Sequence, residues 1–185
     1  NQQTELLSRL VKDLRTLSLA DAQQLTLERQ AVDIVTLLPQ VVESFREEAR
    51  ERGVTLSVQG PDPGALFLNL DPERMMQVLI NLLSNALRHT PQGGRVGVAL
   101  QYGPEEVVIS VKDTGEGLSE EALENAFNRF YRADSSRDRA TGGTGLGLAI
   151  SKTIVELHGG SIIAANAKEG GAAFTIRLPR LATHH

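Results

Sequence analysis

The spacing of hydrophobic residues near the N-terminus predicts a helix of the kind found in helical bundles. Leu7, Leu10, Leu14 and Leu17 follow one another at alternating steps of three and four residues, which is typical of a coiled-coil seam. Roughly two and a half heptads are too few for a stable isolated helix. Two interpretations stay open: the helix packs on its own domain, or it is a dimerising helix from a longer bundle. The second is slightly favoured because the other face is polar, with Lys12, Asp13 and Arg15.

Three more helices are predicted from periodicity and from signals at their ends. The first extends through LLPQVVESFREEARERG, where Pro39 suits the first turn and Gly53 suits the C-terminal cap. The second, PERMMQVLINLLSNALRHT, follows the capping residue Asp71. The third starts in the glycine-rich stretch GGTGLGLAI and continues to ELHGG.

The remaining apolar segments alternate as strands do. They are found in LTLERQAVDI, VTLSVQ, ALFLNL, RVGVALQY, EVVISVKD, SIIAANA and AAFTIRL. The turn at Gly103-Pro104 joins the fourth and fifth of these segments in a predicted hairpin. Because strict βαβ alternation is missing, we predict an α+β fold. We expect a two-layer α/β sandwich with one mixed, mostly antiparallel sheet covered by helices on one face.

Composition and charge narrow the class of protein. The 185 residues suit one domain of about 150 residues and an appendage. A net charge of -4 gives no reason to expect nucleic-acid binding, and the absence of cysteine excludes disulfides, zinc thiolates and thiol nucleophiles. No apolar run is long enough to span a bilayer, so we expect no membrane contact. We interpret the chain as a fragment that ends in a tail or partial tag at His184 and His185.

The helix that ends near His89 carries polar residues within an apolar run. Asn81 and Asn85 are four residues apart and therefore share a face. Amides in apolar surroundings need partners, so these two either bond to a neighbouring element or offer neutral oxygens to a hard cation such as Mg²⁺. Arg88 and His89 leave the same helix near its end, within reach of a phosphate or a ring.

Asp113 ends the strand EVVISVKD, directly before a turn that contains Gly115 and Gly117. A carboxylate in this position can accept a hydrogen bond from a buried donor such as the adenine amine. Such a bond to a charged group is worth about 1.5–3 kcal/mol. The simpler interpretation is that Asp113 only ties the turn.

The segment FNRFYRADSSRDRA combines an aromatic anchor with a charged loop. Phe127 and Phe130 are expected in the core, followed by Tyr131. Residues 129–139 hold four arginines and two aspartates. The segment is either a solvated loop or a lid whose Arg132 meets a triphosphate.

The stretch GGTGLGLAI, residues 142–150, has the glycine density of a phosphate-binding loop. Its spacing fits neither G-x-G-x-x-G nor the P-loop, because Leu148 stands where the P-loop lysine should be. Amides at a helix N-terminus nevertheless favour anions. The stretch is therefore either a simple helix entry or a phosphate loop that obtains its cationic groups from elsewhere.

In their order and spacing, these motifs resemble those of the catalytic, ATP-binding domain of bacterial sensor histidine kinases. That domain belongs to the GHKL superfamily, which has a Bergerat-type ATP site. NLLSNA resembles the N box, DTGEGL the first glycine box, FNRFYR the F box and GTGLGLAI the second glycine box. The resemblance covers residues 29–179 and implies ATP and Mg²⁺ as cofactors.

The resemblance implies three catalytic residues. Asn85 would coordinate Mg²⁺, Asn81 would support the phosphate site and Arg132 would reach the γ-phosphate. Members that hydrolyse ATP have E-x-x-x-N in the N box, where the glutamate activates water. Asn81 occupies that position here and cannot act as a base. The resemblance therefore favours phosphotransfer over an ATPase or a protein-serine kinase, and a non-catalytic ATP sensor is the other alternative.

The resemblance also implies a set of nucleotide-binding residues. Arg88 stands where a phosphate-binding lysine is commoner, and His89 where a tyrosine often lies against adenine. Asp113 would accept the adenine amine. The glycine boxes would supply backbone room and N–H groups, through Gly115, Gly117, Gly143, Thr144, Gly145, Leu146 and Gly147.

The resemblance further divides the chain. Residues 1–25 look like the C-terminal part of the second helix of a dimerisation and histidine-phosphotransfer domain. Residues 26–181 then form the catalytic domain, and residues 182–185 form a tail.

The phosphate acceptor of this family is a histidine followed by an acidic residue. His89 and His158 lack that context, so the acceptor is expected upstream and the chain is expected not to autophosphorylate alone. The expected partners are that upstream domain, as a homodimer, and a response regulator receiver domain. The expected location is the cytoplasm, in a parent protein anchored in the bacterial inner membrane.

Overall fold

The computed structural model describes residues 2–60, 64–132 and 144–180. Within these residues, seven strands form two separate sheets. The strands are β1 (Gln30–Asp33), β2 (Thr55–Gln59), β3 (Phe67–Leu70), β4 (Arg95–Tyr102), β5 (Glu106–Asp113), β6 (Ser161–Asn166) and β7 (Ala172–Pro179). The main sheet has the order β2-β4-β5-β7-β6, and β1 pairs with β3 alone. The β2–β4 pair is parallel and the other pairs are antiparallel. The predicted mixed sheet is confirmed, and the β1–β3 pair is an addition to it.

Helices cover this sheet and place the motifs. They are α1 (Gln2–Asp21), α2 (Ile34–Ser44), α3 (Arg46–Glu51), α4 (Pro72–His89), α5 (Glu120–Asn125) and α6 (Gly147–Leu157). Helix α4 packs against α6, β4 and β5, and α6 also packs against β6. None of the helices formed by the described residues combines the length and apolarity that crossing a membrane requires.

The core lies between the main sheet on one side and helices α4 and α6 on the other. On β5 the alternating residues Val107, Ile109 and Val111 are at most 1% exposed. Helix α4 meets them with a wide apolar stripe formed by Met75, Val78, Leu79, Leu82, Leu83, Ala86 and Leu87. Burying a side chain of this size contributes about 1.5–3 kcal/mol. This packing holds the polar residues of α4 in a fixed position relative to the end of β5.

Two predicted helix boundaries differ from the structure. Helix α2 begins at Ile34 because Asp33 caps it, accepting the Val35 N–H at 3.2 Å. Pro39 therefore lies inside the helix and not in its first turn. The helical segment also breaks at Phe45, after which α3 begins. Helix α5 was not predicted because a six-residue helix is too short to show a periodic pattern.

Helix α1 packs against α6 with only part of its leucine seam. Leu17 is buried and Leu10 is partly buried, whereas Leu7 and Leu14 are 63% and 47% exposed. The buried half fits the interpretation that the helix packs on its own domain. The exposed half leaves membership of a larger bundle as a prediction.

Candidate functional site

One cleft gathers most of the residues that the motifs singled out. It has a volume of about 470 Å³ and lies between α4, the end of β5 and the start of α6. The predicted residues that line it are Asn81, Asn85, Arg88, His89, Asp113, Gly117, Arg132, Thr144, Gly145 and Gly147. Gly115 and Leu146 are not among the lining residues. Gly143 lies outside the described residues.

Asn81 holds α4 against the first turn of α6. Its Nδ2 donates to the backbone oxygen of Gly147 at 3.1 Å and to Ser151 Oγ at 3.4 Å. The amide is thus satisfied by a neighbouring element, which is one of the two interpretations that the sequence left open. Because α6 begins at Gly147, these bonds fix the N-terminus of α6 relative to α4.

Asn85 lies one helical turn beyond Asn81 and also lines the cleft. Its amide makes no hydrogen bond to any described residue. An open amide oxygen fits Mg²⁺, which usually takes one or two protein ligands together with phosphate oxygens and waters. Among the described residues, no three His, Cys, Asp or Glu side chains come together to hold a metal. Asn85 is therefore a candidate ligand for a cation that arrives with phosphates.

Asp113 is 4% exposed and uses one of its two carboxylate oxygens within the fold. Oδ1 accepts the N–H groups of Gly115 at 2.9 Å and Ala172 at 3.1 Å. Asp113 therefore does tie the turn, as the simpler interpretation held. Oδ2 accepts no hydrogen bond from a described residue, and Asp113 lines the cleft. This second oxygen is available to a donor on a ligand.

Gly115 is required by a close approach of two backbone segments. A Cβ atom at Gly115 would lie 2.2 Å from the backbone oxygen of His89. That oxygen belongs to the last residue of α4, so the turn after Asp113 sits directly against the end of the helix. Gly115 therefore shapes the cleft without lining it.

Asn166, at the end of β6, is a residue that the sequence analysis missed. Its Oδ1 accepts the Leu118 N–H at 2.7 Å, and its Nδ2 donates to the Leu118 backbone oxygen at 2.8 Å. Leu118 lines the cleft next to Gly117. Asn166 thus clamps the loop that follows Asp113. No local pattern indicates this role, because the two residues are 48 positions apart.

The aromatic segment before the arginine-rich loop divides between core and surface. Phe127 packs edge-to-face on Phe174, with ring centroids 6.3 Å apart. Phe130 is 61% exposed and has a positive φ of 62°, so its predicted place in the core is wrong. The Phe130 N–H donates to the Gly145 oxygen at 2.9 Å. A Cβ atom at Gly145, whose φ is +71°, would lie 2.8 Å from the carbonyl carbon of Phe130. The turn at Phe130 leaves room only for glycine at position 145.

Tyr131 and Arg132 continue this segment into the cleft wall. Burial, and after it the Glu121 carboxylate, raises the pKa of the Tyr131 phenol above its usual value. A phenol is protonated at neutral pH even at its usual pKa of about 10, so this hydroxyl can donate a hydrogen bond. The rest of the predicted lid, residues 133–140, lies outside the described residues.

The start of α6 forms another wall of the cleft. Gly147 and Leu148, its first two residues, line the cleft together with Thr144 and Gly145. The first N–H groups of a helix lack partners within the helix and favour anions. The side chain of Leu146 is fully buried, and its N–H donates to Thr144 Oγ1 at 3.2 Å. Leu146 thus anchors the helix, and its predicted contact with phosphate stays a prediction.

Asp13 of α1 is a cleft residue that the sequence pattern had placed on a polar outer face. It is 7% exposed, and it lines the cleft together with Arg88 and Arg132. The described lining of the cleft thus contains these two arginines and three carboxylates, from Asp13, Asp113 and Glu116. The spacing of residues on α1 could not reveal this, because it does not say which face meets another element.

Comparisons with known proteins agree with this arrangement. A family model described as "Histidine kinase-, DNA gyrase B-, and HSP90-like ATPase" matches residues 70–182. Signal transduction histidine-protein kinase BaeS from Escherichia coli (strain K12) is 41% identical over 173 residues. This match covers 94% of the chain and 37% of BaeS. The chain therefore spans just over a third of the length of this curated relative.

Solved structures of histidine kinases share the fold. Acinetobacter baumannii histidine kinase AdeS superposes with a TM-score of 0.80 at 28% identity, covering 97% of this chain and 81% of that one. Histidine kinase ThkA in complex with the response regulator protein TrrA superposes with a TM-score of 0.75 at 26% identity, covering 98% and 50%. The family model matches more than half of the chain, over the segment that builds the cleft. The chain belongs to the histidine kinase-, DNA gyrase B- and HSP90-like ATPase family.

Proposed function

We propose that this chain is the ATP-binding kinase part of a two-component sensor histidine kinase. In this role it transfers the γ-phosphoryl group of ATP to a histidine of an upstream domain. The observation that carries the proposal is the meeting of Asn85, Asp113 and the N-terminus of α6 in one cleft. An amide oxygen, a carboxylate and a helix N-terminus suit the cation, the adenine amine and the phosphates of a single Mg-ATP molecule.

The residues of the chain act by binding and orienting the nucleotide. Asp113 receives the adenine amine on Oδ2 while Oδ1 keeps the turn in place. Arg88 and Arg132 offset phosphate charge, and Asn81 keeps α6 in register with Asn85. Bound Mg²⁺ supplies further neutralisation of charge on the phosphate oxygens. Positioning and electrostatic stabilisation of this kind provide most of the catalysis of phosphoryl transfer.

The chemical step forms one bond and breaks another. A ring nitrogen of the acceptor histidine bonds to the γ-phosphorus, the bond from that phosphorus to the β–γ bridging oxygen breaks, and ADP leaves. Asn81 supports transfer over hydrolysis, because its amide donates to Gly147 and Ser151 and has no basic group to activate water.

Partners and location extend this proposal beyond the chain. We assign residues 1–25 to the second helix of the upstream dimerisation domain, and the exposed Leu7 and Leu14 support this because they leave part of a seam to be covered. The complex of ThkA with the response regulator protein TrrA supports a receiver domain as the second partner by analogy. From the resemblance to sensor histidine kinases we also propose that this part lies in the cytoplasm, in a parent protein anchored in the inner membrane.

The test mixes this chain, Mg-ATP labelled at the γ-phosphate and a separately made upstream domain that bears the acceptor histidine. Acid-labile label on that domain is the expected result, and a domain whose acceptor histidine is changed to alanine stays unlabelled. Steady release of phosphate by the chain alone would instead identify an ATPase. ATP binding without transfer to the intact domain would identify a sensor.

A further inference from the structure

Asp13 puts a carboxylate into a cleft whose proposed ligand is a polyanion. It is 7% exposed and lines the cleft beside Arg88 and Arg132. A carboxylate that is largely removed from water has a stronger effect on nearby charges than one on the surface. Its field therefore acts on any phosphate that enters the cleft.

Asp13 lines the same cleft as the proposed phosphate site. Helix α1 packs against α6, whose first residues Gly147 and Leu148 line the cleft. The adenine end lies at Asp113, which is tied to the start of β7 through the Ala172 N–H. Asp13 therefore shares the cleft with the N-terminus of α6, where the triphosphate is expected, and with the two arginines Arg88 and Arg132.

Two further contacts hold α1 in this position. Both carboxylate oxygens of Asp21 accept hydrogen bonds from Arg129, at 2.7 and 2.5 Å. A longer hydrogen bond of 3.5 Å joins Arg74 Nη1 to Thr16 Oγ1. These bonds fix the C-terminal half of α1, so Asp13 is part of a docked surface rather than a loose end.

We propose that Asp13 is a specificity-determining residue, which makes the cleft favour metal-loaded ATP over metal-free ATP. The inference rests on the proposed function of the cleft. Metal-free ATP carries about four negative charges and its Mg²⁺ complex about two, so a fixed carboxylate repels the free form about twice as strongly. Asp13, Arg88 and Arg132 all take part in interactions within the folded chain. A phosphate that binds either guanidinium must do so in the field of the carboxylate.

The consequence is a selection at the binding step. ATP without its cation lacks the charge neutralisation on which transfer depends, and it would block the cleft. A carboxylate in the cleft wall lowers the occupancy of this unproductive ligand more than that of Mg-ATP. It also couples nucleotide affinity to the docking of α1.

The test compares Asp13→Asn with the wild-type chain by calorimetric titration, once with ATP in EDTA and once with Mg-ATP. Asparagine keeps the shape and removes the charge. The affinity for metal-free ATP is expected to rise roughly tenfold and that for Mg-ATP roughly threefold. Asp13→Glu, which keeps the charge, is expected to retain the wild-type ratio of the two affinities.

Glu28→Gln is the control, because it removes an equal charge from an exposed side chain that does not line the cleft. It is expected to leave the affinity ratio unchanged. Equal affinity changes for both ligands in Asp13→Asn, or no change, would overturn the inference. Selective loss of Mg-ATP affinity would also overturn it, since that result identifies a metal ligand. If Asp13→Asn fails to fold, Asp13→Ser is titrated instead, and the same changes in affinity are expected of it. A wild-type chain that binds neither ligand would contradict the proposed function itself.

Discussion

The Nε2 atom of His158 accepts a 3.0 Å hydrogen bond from the backbone N–H of Asp71, which joins the end of α6 to the start of α4. The Nδ1 atom of the same ring lies 2.8 Å from the backbone oxygen of Ile154. Because Nε2 accepts, the ring is neutral and its proton is on Nδ1. Asp71 in turn caps α4 by accepting the Arg74 N–H. A neutral imidazole thus links two of the helices that form the cleft.

This link predicts a loss of stability in mild acid. Burial is the main cause that lowers the pKa of His158 below its usual value of 6.5, with a smaller contribution from the Arg29 guanidinium. The unfolded chain therefore takes up the proton more readily than the folded one. The contribution of His158 to stability is complete above pH 6.5 and is lost as the pH falls from there through the folded-state pKa. The melting temperature measured by circular dichroism should be level above pH 7 and fall below pH 6.5.

His158→Gln is the control for this pH dependence. Its side-chain oxygen can accept the Asp71 N–H in place of Nε2, and it does not titrate. Its melting temperature should change less between pH 6.5 and 5 than that of the wild type. The pKa values of Asp21 and Asp33 are lowered from their usual value of 3.8, so neither carboxylate titrates between pH 6.5 and 5. Identical pH profiles for the two proteins would contradict the assignment to His158.

Asp113→Asn is expected to weaken adenine nucleotides selectively. The amide oxygen can keep the bonds to Gly115 and Ala172, while a neutral group replaces the charged acceptor at Oδ2. Loss of a hydrogen bond to a charged group costs about 1.5–3 kcal/mol, so ATP affinity should fall roughly tenfold to a hundredfold. Titration with inorganic triphosphate is the comparison, and equal losses for both ligands would remove Asp113 from the adenine site.

Asn85→Ala is expected to remove the part of the Mg²⁺-dependent gain in ATP affinity that comes from coordination of the cation. The reason is that the Asn85 amide makes no bond to a described residue, so its oxygen is open to a cation. The measurement is the ratio of ATP affinities with Mg²⁺ and with EDTA, which should fall in the variant to the smaller preference that Asp13 alone provides. If the ratio matches that of the wild type, Asn85 is not the metal ligand.

Asn166→Ala is expected to weaken ATP binding, although Asn166 itself does not line the cleft. It removes both hydrogen bonds to the Leu118 backbone and frees the loop after Asp113. Since each such bond is worth about 0.5–1.5 kcal/mol, a loss of roughly fivefold in ATP affinity is expected, with little change for inorganic triphosphate. Asn125→Ala removes an exposed amide with comparable local bonds and serves as the control. A parallel fall for both ligands would indicate general destabilisation instead.

Alanine at two glycines should have opposite effects on stability. A Cβ atom at Gly115 meets the His89 backbone oxygen at 2.2 Å, so the chain must shift. At Gly147 the nearest atom to an added Cβ would be Asn81 Cγ, at an ordinary van der Waals distance of 3.5 Å. Gly115→Ala should lower the free energy of unfolding by about 3 kcal/mol. Gly147→Ala, which improves helix propensity, should leave it unchanged or raise it by about 0.5–1 kcal/mol. Urea titration measures both, and equal stabilities would refute the close approach.

Local patterns predicted much of the fold and the main residues of the cleft. The hairpin of β4 and β5 was confirmed because alternation and a Gly-Pro turn are local signals. The shared face of Asn81 and Asn85 also follows from helical geometry alone. Asp113 was correctly expected at the end of a buried strand, because the alternation of apolar residues along that strand is also a local pattern.

The features that could not be predicted depend on contacts between distant segments. The clamp of Asn166 on Leu118 spans 48 positions, and neither residue stands out in its own segment. Asp13 looked like a solvated residue because the neighbour of α1 is not encoded in the heptad pattern. Phe130 was expected in the core from its hydrophobicity, yet the backbone turn at a positive φ directs it outward.

The central claim is that one nucleotide spans the cleft from Asp113 to the start of α6. A crystal structure of the chain with Mg²⁺ and a non-hydrolysable ATP analogue tests it most directly. The account predicts the adenine amine on Asp113 Oδ2, the cation on the Asn85 oxygen and the phosphates at the N-terminus of α6. An analogue bound elsewhere, or bound in the cleft with its phosphates at Asp113, would contradict the account.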